Sequence, residues 1–521
     1  MIISNSTPRR DHPGLLSDNE IERSHLFCFL AYKLNSRLPT TSMGTFWLHF
    51  FGTLVLVVMS VPFVSALKTI LVLGGSYGGI AASKFLAKEL PEGYRVVLLE
   101  RNSHANRTFS SFFPDPFVSD TLDSDLYVLP RFSVLPSHET KAFIPYNNLF
   151  GPTPGSNRVI HGTAIKLERN KVVYTPAPYS NETSPERTSS LEFDYLIYAL
   201  GAKLPGPIDF WGAKSVYDGH AYDSNAERTI NLDGDKRFET FDGSKSAAVA
   251  FLQRAQKRLK LVESVLVVGG GALGILCERL EEPIPSQTNH TFALSYAIIT
   301  KVPEYNARGD DQVNKTMHAF DVNLILGQRL DLKTTLPEHA EYDEQGRRVV
   351  KTENGKKICA DLVLLCTGQT PNTYLMRSLA PHAIDDQTGM IKILRTMQVD
   401  LPPKSRFVAQ DGGTNAPRTE LPHVYAIGDA ADAFGAIKAG HTAHWQAEVA
   451  AKNIVASILS QPLTSYEPGP PAIKITLGMR HYATVMGPEQ TLTVGDDGKD
   501  DLDAVGMWSY VGAEYERDKE L

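Results

Sequence analysis

Two glycine clusters carry the strongest chemical signal in this sequence. The first comprises Gly74, Gly75, Ser76, Tyr77, Gly78 and Gly79, after the apolar run 70–73. Such a turn brings free backbone N–H groups and the positive end of a helix dipole to one point, which suits a pyrophosphate. Gly74 permits the tight turn and Gly79 a close helix–strand approach. Ser76 stands where G-x-G-x-x-G has its middle glycine, and its hydroxyl can lie beside the phosphates. A second strand-like run ends in Glu100, followed by Arg101. Glu100 lies 21 residues beyond Gly79, where a carboxylate meets adenosine ribose hydroxyls. The second cluster, Gly269, Gly271, Ala272, Leu273 and Gly274, completes G-x-G-x-x-G after the run 265–268. Two dinucleotide folds in one chain imply a tightly held flavin and an exchangeable nicotinamide. Duplication with one working site is the alternative.

These glycines need buried parallel strands before them and helices after them. The first cluster has both by pattern. The second departs: Pro283 and Pro285 cut its helix short, since proline cannot occupy a helix interior. The next strand candidate, 291–299, ends at Thr300 and Lys301 without an acid. Lys301 would favour a 2'-phosphate, hence NADPH, or is simply solvated; NADH and NADPH both stay open. Further along, 362–366 runs as a buried strand into Thr367, Gly368, Gln369, Thr370, Pro371 and Asn372. A short strand ending in Gly428 and Asp429 precedes a helix start at 440–447, with Thr442 and Ala443 in its first turn.

By these motifs the chain resembles flavoproteins with two dinucleotide-binding domains. It is most similar to the apoptosis-inducing-factor-like, ferroptosis-suppressor-type NAD(P)H:quinone oxidoreductases, and more distantly to type II NADH dehydrogenases. The resemblance spans about 68–466. It rests on Gly74–Gly79, on Tyr198, Ala199, Leu200, Gly201 and Ala202, on 367–372, and on Tyr425 to Asp429. It implies an α/β fold of two Rossmann-like domains: an FAD domain in two stretches, an inserted NAD(P) domain, and a small C-terminal α+β domain. The expected boundaries are 1–42 tail, 43–67 hydrophobic segment, 68–243 and 367–462 FAD domain, 244–366 nicotinamide domain, and 463–521 C-terminal domain. By the resemblance, Asp429 meets the ribityl hydroxyls, Thr163 and Ala164 lie over the adenine, and Gly201 marks where the chain leaves the first FAD stretch. Thr367 and Gly368 flank the nicotinamide nucleotide. The segment from Lys141 to Tyr146 resembles a loop-and-helix piece of the first FAD lobe. Residues 280–316 depart from the relatives, with no clear equivalent of the second nicotinamide-domain strand, basic loop and helix.

Flavin chemistry needs a positive environment near N1 and C2=O of the reduced ring. The helix start at 440–443 supplies one, and Lys438 either adds charge or is an exposed loop lysine. The four cysteines, Cys28, Cys277, Cys359 and Cys366, contain no C-x-x-C pair, so electrons must leave directly from the flavin. A planar, apolar quinone-like acceptor fits, with Trp445 and Gln446 lining its channel or simply packing the helix. The alternative is a flavin-bound signalling or interaction protein with little turnover. A net charge of -7 argues against nucleic-acid partners, and no metal-ligand spacing stands out. The stretch 45–66 has no formal charge across 22 residues. It is long enough to span a bilayer as an anchor on a membrane-associated protein, cytoplasmic or mitochondrial, or else serves as a cleaved signal peptide into the secretory pathway.

Overall fold

A computed structural model describes residues 67–106, 137–177, 188–203, 243–259, 264–269, 293–299, 324–336, 339–366, 368–402, 419–470, 473–477, 481–486, 491–496 and 505–521. The tail and hydrophobic stretch 1–66 lie outside them.

From Leu67 onward the chain builds β1 (Lys68–Leu73), helix α1 (Tyr77–Glu89) and β2 (Tyr94–Glu100). It continues through β3 (Arg158–Leu167), β4 (Lys171–Pro176), β5 (Ser189–Glu192) and β6 (Tyr195–Tyr198). Helix α2 (Lys245–Leu259) leads to β7 (Ser264–Val268), β8 (Ala293–Ile299), β9 (Leu324–Leu326) and β10 (Leu362–Leu365). Then β11 (Val424–Ala426) precedes the long helix α3 (Gly440–Ile458).

The larger sheet has seven strands in the order β11-β6-β1-β2-β3-β4-β5. Its first five are mutually parallel, and β4 and β5 add an antiparallel hairpin edge. Residues 70–73 and 96–98 have no solvent exposure, as expected of central parallel strands covered on both faces. The strand β11, from the second of the two stretches expected to share one domain, completes this sheet beside β6, Val424 opposite Leu196. The discontinuous domain expected from sequence is thus a single sheet.

The smaller parallel sheet has the order β9-β8-β7-β10. Here β8 falls within the strand candidate 291–299 and runs parallel to β7, Ser264 opposite Ala293. The strand ladder survives the prolines because they fall before it, in the connection; that connection lies outside the described residues. Asp361, just before β10, ties that edge strand to β7, accepting both the backbone N–H (2.8 Å) and the hydroxyl (2.6 Å) of Ser264. An antiparallel sheet over Glu341–Tyr342, Arg348–Lys351 and Lys357–Ala360 was not anticipated.

Beyond α3, an antiparallel sheet over Ile473–Leu477, His481–Met486 and Thr491–Asp496 contains the strand expected near 472–478. The last helices, α4 (Gly506–Val511) and α5 (Tyr515–Asp518), return to the larger sheet's core. Trp508 is 1% exposed in that core, and its Nε1 donates to the Lys141 carbonyl at 3.1 Å.

Candidate dinucleotide site

The first glycine turn sits at the C-terminal ends of β1 and β2. Gly74, at φ +97°, donates its N–H to the Leu99 carbonyl at 3.0 Å. A β-carbon there would come within 2.5 Å of the Ala199 carbonyl oxygen. A β-carbon on Gly79 would overlap the Gly74 carbonyl oxygen, so only glycine lets α1 close onto the turn. Glu100 receives the Gly75 N–H on Oε2 at 2.5 Å and the Asn102 N–H on Oε1 at 2.9 Å. The Tyr146 hydroxyl donates to the Gly75 carbonyl. Ser76 is the exposed N-cap of α1 but makes no side-chain cap bond, which leaves its hydroxyl turned to other uses. The first-turn N–H groups at Tyr77 and Gly78 have no intrahelical acceptor.

A second turn meets the first. Gly428, at φ +70°, leads from β11 into Asp429. A β-carbon on Gly78 would lie 3.1 Å from Ile427 Cδ1 and 3.4 Å from Ala443 Cβ; one on Gly440 would lie 3.0 Å from the Tyr77 ring. The N-termini of α1 and α3 and the Gly428 turn therefore converge, with Thr442 and Ala443 buried between them. Burial raises the Asp429 carboxyl above its ordinary pKa, with Lys438 partly opposing the shift. Lys438 is exposed, and its Nζ donates to the Asp429 backbone carbonyl at 3.0 Å.

Two further expected residues lie on β3: Thr163, and Ala164, whose carbonyl accepts from the Tyr374 hydroxyl at 3.3 Å. Arg101 is exposed, and its carbonyl meets His161 Nε2 at 2.8 Å. Gly201, at φ +59°, accepts the Asn372 N–H at 2.9 Å, and Ala202 pairs with Pro371. The exit from the first FAD stretch and the entry to the second are thus joined directly. On the nicotinamide side, Gly269 (φ +124°) packs onto the Cys366 carbonyl, and Gly368 (φ +113°) faces open space. Gly271, Ala272, Leu273, Gly274 and Thr367 lie outside the described residues.

The acceptor-channel expectation needs correction at Gln446. This side chain is 2% exposed, and its Oε1 accepts the Gly428 N–H at 2.7 Å. It holds the second turn instead of lining a channel, because position 446 falls on the buried side of α3. Trp445 points the other way, 39% exposed, with its ring edge-on to His444 at 5.4 Å. The segment carrying Tyr146 is a short 3-10 turn, Glu139–Ala142, then a strand, Phe143–Pro145. Sequence reading placed this segment in the first lobe but missed Tyr146 as a contact of the glycine turn, since nothing local in the sequence marks it.

FAD fits this cradle. The α1 N-terminus suits the pyrophosphate, Glu100 the adenosine ribose and Asp429 the ribityl chain. Asn102 Oδ1, two residues beyond Glu100, is buried with no hydrogen-bond partner among the described residues. A polar ligand would satisfy it.

The sequence pattern of the pyridine nucleotide-disulphide oxidoreductases matches residues 68–447. The chain belongs to this family. As a member, it is an FAD-dependent NAD(P)H oxidoreductase. It is similar to Fe-regulated protein 8 of Mycosarcoma maydis, 35% identical over 458 residues, covering 85% of this chain and 95% of that protein. It is also similar to human ferroptosis suppressor protein 1, 23% identical over 413 residues, covering 78% and 86% of the two chains. Among solved structures, the sulfide:quinone oxidoreductase of Aquifex aeolicus shares the fold, with a TM-score of 0.53 and 13% identity over 85% of this chain and 90% of that one. The expected α/β architecture is thereby borne out.

Proposed function

We propose that this family member passes electrons from reduced FAD directly to a quinone-like acceptor, with no dithiol relay. The observation that carries the proposal is the cysteine pattern. No two of the four cysteines are spaced as C-x-x-C. Of the two described, Cys366 is buried beneath Gly269, and Cys359 lies on the strand Lys357–Ala360. When bound, FAD takes a hydride from NAD(P)H and gives up two electrons.

The chain's own residues supply placement and charge. Glu100 and Asp429 fix hydroxyls at two ends of the cofactor. The uncapped start of α3 faces the Gly428 turn with a positive dipole end, which favours negative charge developing there. Lys438 adds a cation beside the same turn. The exposed face of Trp445 offers a flat apolar surface of the kind a planar acceptor uses. In this reading the NAD(P)H domain is the inserted 244–366 stretch, and 45–66 brings the enzyme to a membrane where such acceptors dissolve.

The test is anaerobic. FAD-loaded protein is mixed with NADH and, separately, NADPH, and then with a soluble quinone. Bleaching of the flavin band followed by its rapid return with quinone is expected. Bleaching without reoxidation by quinone would refute the acceptor and favour a signalling flavoprotein with little turnover.

A further inference from the structure

Both main-chain polar groups of Gly75, its N–H and its carbonyl, are gripped by side chains that come from elsewhere in the chain. Glu100, at the end of β2, takes its N–H at 2.5 Å. Tyr146, from the segment after Phe143–Pro145, gives its hydroxyl hydrogen to the Gly75 carbonyl. Tyr146 is 6% exposed, and Gly75 itself is buried. The absence of a side chain at Gly75 is what admits Tyr146: a β-carbon would lie 2.8 Å from Tyr146 Cζ and 3.0 Å from Glu100 Cγ.

The segment that carries Tyr146 is anchored in turn. Trp508 donates to the Lys141 carbonyl at 3.1 Å, the Thr140 and Tyr515 hydroxyls meet at 2.9 Å, and Gly512 sits against the Asn148 carbonyl. Helices α4 and α5 therefore back the tyrosine against the turn.

Gly75 has wide freedom in φ and ψ, and these angles decide where the Ser76 N–H and those after it point. We infer that Tyr146 is a positioning residue for FAD: with Glu100 it fixes the two peptides on either side of Gly75 in the one arrangement that presents the α1 N-terminus to the pyrophosphate. This rests on the reading of 74–79 as the FAD pyrophosphate turn. Burial and the nearby Glu100 carboxylate push the Tyr146 phenol well above its ordinary pKa, so it stays a donor throughout the physiological range. Without the hydroxyl, the buried carbonyl lacks its partner and the peptide rotates to find another. FAD then binds only the fraction of molecules in the competent orientation, and the apparent dissociation constant rises by the inverse of that fraction.

Tyr146→Phe keeps the ring and its packing and removes only the donor. FAD is titrated into apoprotein of the wild type and the variant and followed by flavin fluorescence, with ADP, which carries the same pyrophosphate, as a competitor. One neutral buried hydrogen bond corresponds to about a fivefold weakening. The expected result is about that loss for FAD and for ADP alike. The flavin spectrum, flavin midpoint potential and KM for NAD(P)H at saturating FAD stay unchanged, since the flavin ring lies at the cofactor's far end. Tyr146→Met, which fills similar volume without a hydroxyl, is read by the same criterion if the phenylalanine variant does not fold. Equal affinity in wild type and variant, or a shifted flavin potential with unchanged ADP affinity, overturns the inference. Failure of wild-type apoprotein to take up FAD overturns instead the assignment of the turn.

Discussion

Replacing Gln446 by Met separates two roles for this helix position. Gln446 Oε1 accepts the Gly428 N–H at 2.7 Å from a side chain that is 2% exposed. Methionine matches its length and packs in the same space, so cavity effects stay small. What is lost is the acceptor for Gly428, together with the side-chain hydrogen bond to Tyr466. An unsatisfied buried N–H costs about 1–3 kcal/mol. Gly428 is only half-buried, which puts the expected cost at about 1–2 kcal/mol. Through the turn that carries Asp429, this corresponds to about 5- to 30-fold weaker FAD binding. The apoprotein's melting temperature should fall by about 1–2 °C. Fluorescence titration with FAD and thermal melts of the apoprotein read both effects, and quinone turnover at saturating FAD should keep its KM. Wild-type FAD affinity with a raised quinone KM would refute the turn-holding role and restore a channel-lining one.

Three further outcomes follow from the same structure. Asp429→Asn should stabilise the apoprotein near neutral pH, because a carboxyl raised by burial destabilises the fold once pH exceeds its unfolded pKa; it should also weaken FAD about tenfold or more through loss of charge-assisted hydrogen bonds. Melts and titrations showing the same direction for both would contradict this. Burial among Phe85, Tyr510 and Trp445 pushes His444 down to about 4, with Glu448 opposing the shift. Its folded pKa lies below the unfolded 6.5, so stability is full above that value and is lost as pH falls from about 6.5 towards 4, by up to about 3 kcal/mol; His444→Phe should flatten that stretch of the denaturation-versus-pH profile. Trp508→Ala removes a fully buried indole and its bond to Lys141, an expected loss of about 3–5 kcal/mol by urea titration; a loss below about 1 kcal/mol would show that α4 is dispensable to the core.

The residues that bind by backbone geometry were legible in the sequence. Gly74, Gly79 and Glu100 are constrained by spacing within one strand–turn–helix–strand unit, and the structure places them as that spacing requires. The second strand of the smaller sheet was legible as the apolar run 291–299, although Pro283 and Pro285 interrupt the helical pattern before it. The antiparallel sheet over 341–360 had a readable signal, Asn354–Gly355 between two short runs, masked by its charged composition. Tyr146, the buried face of Gln446 and the return of Trp508 were not legible. Each depends on a partner between 18 and 367 positions away, and local pattern carries no record of such pairings.

The sheet that closes only when β11 joins β6 also sets an order of events during synthesis. By the time Val424 is made, its neighbour Leu196 has been waiting for 228 residues of translation, on the order of 10–50 s at cellular rates. Through that interval β6 presents an unpaired edge of apolar Leu196 and Ile197, the kind of edge that recruits other strands. The β7–β10 sheet draws all four of its strands from between β6 and β11, so it can assemble within the wait. A nascent chain stalled before residue 424 should therefore carry one sheet complete and the other open along the β6 edge, a natural target for chaperones.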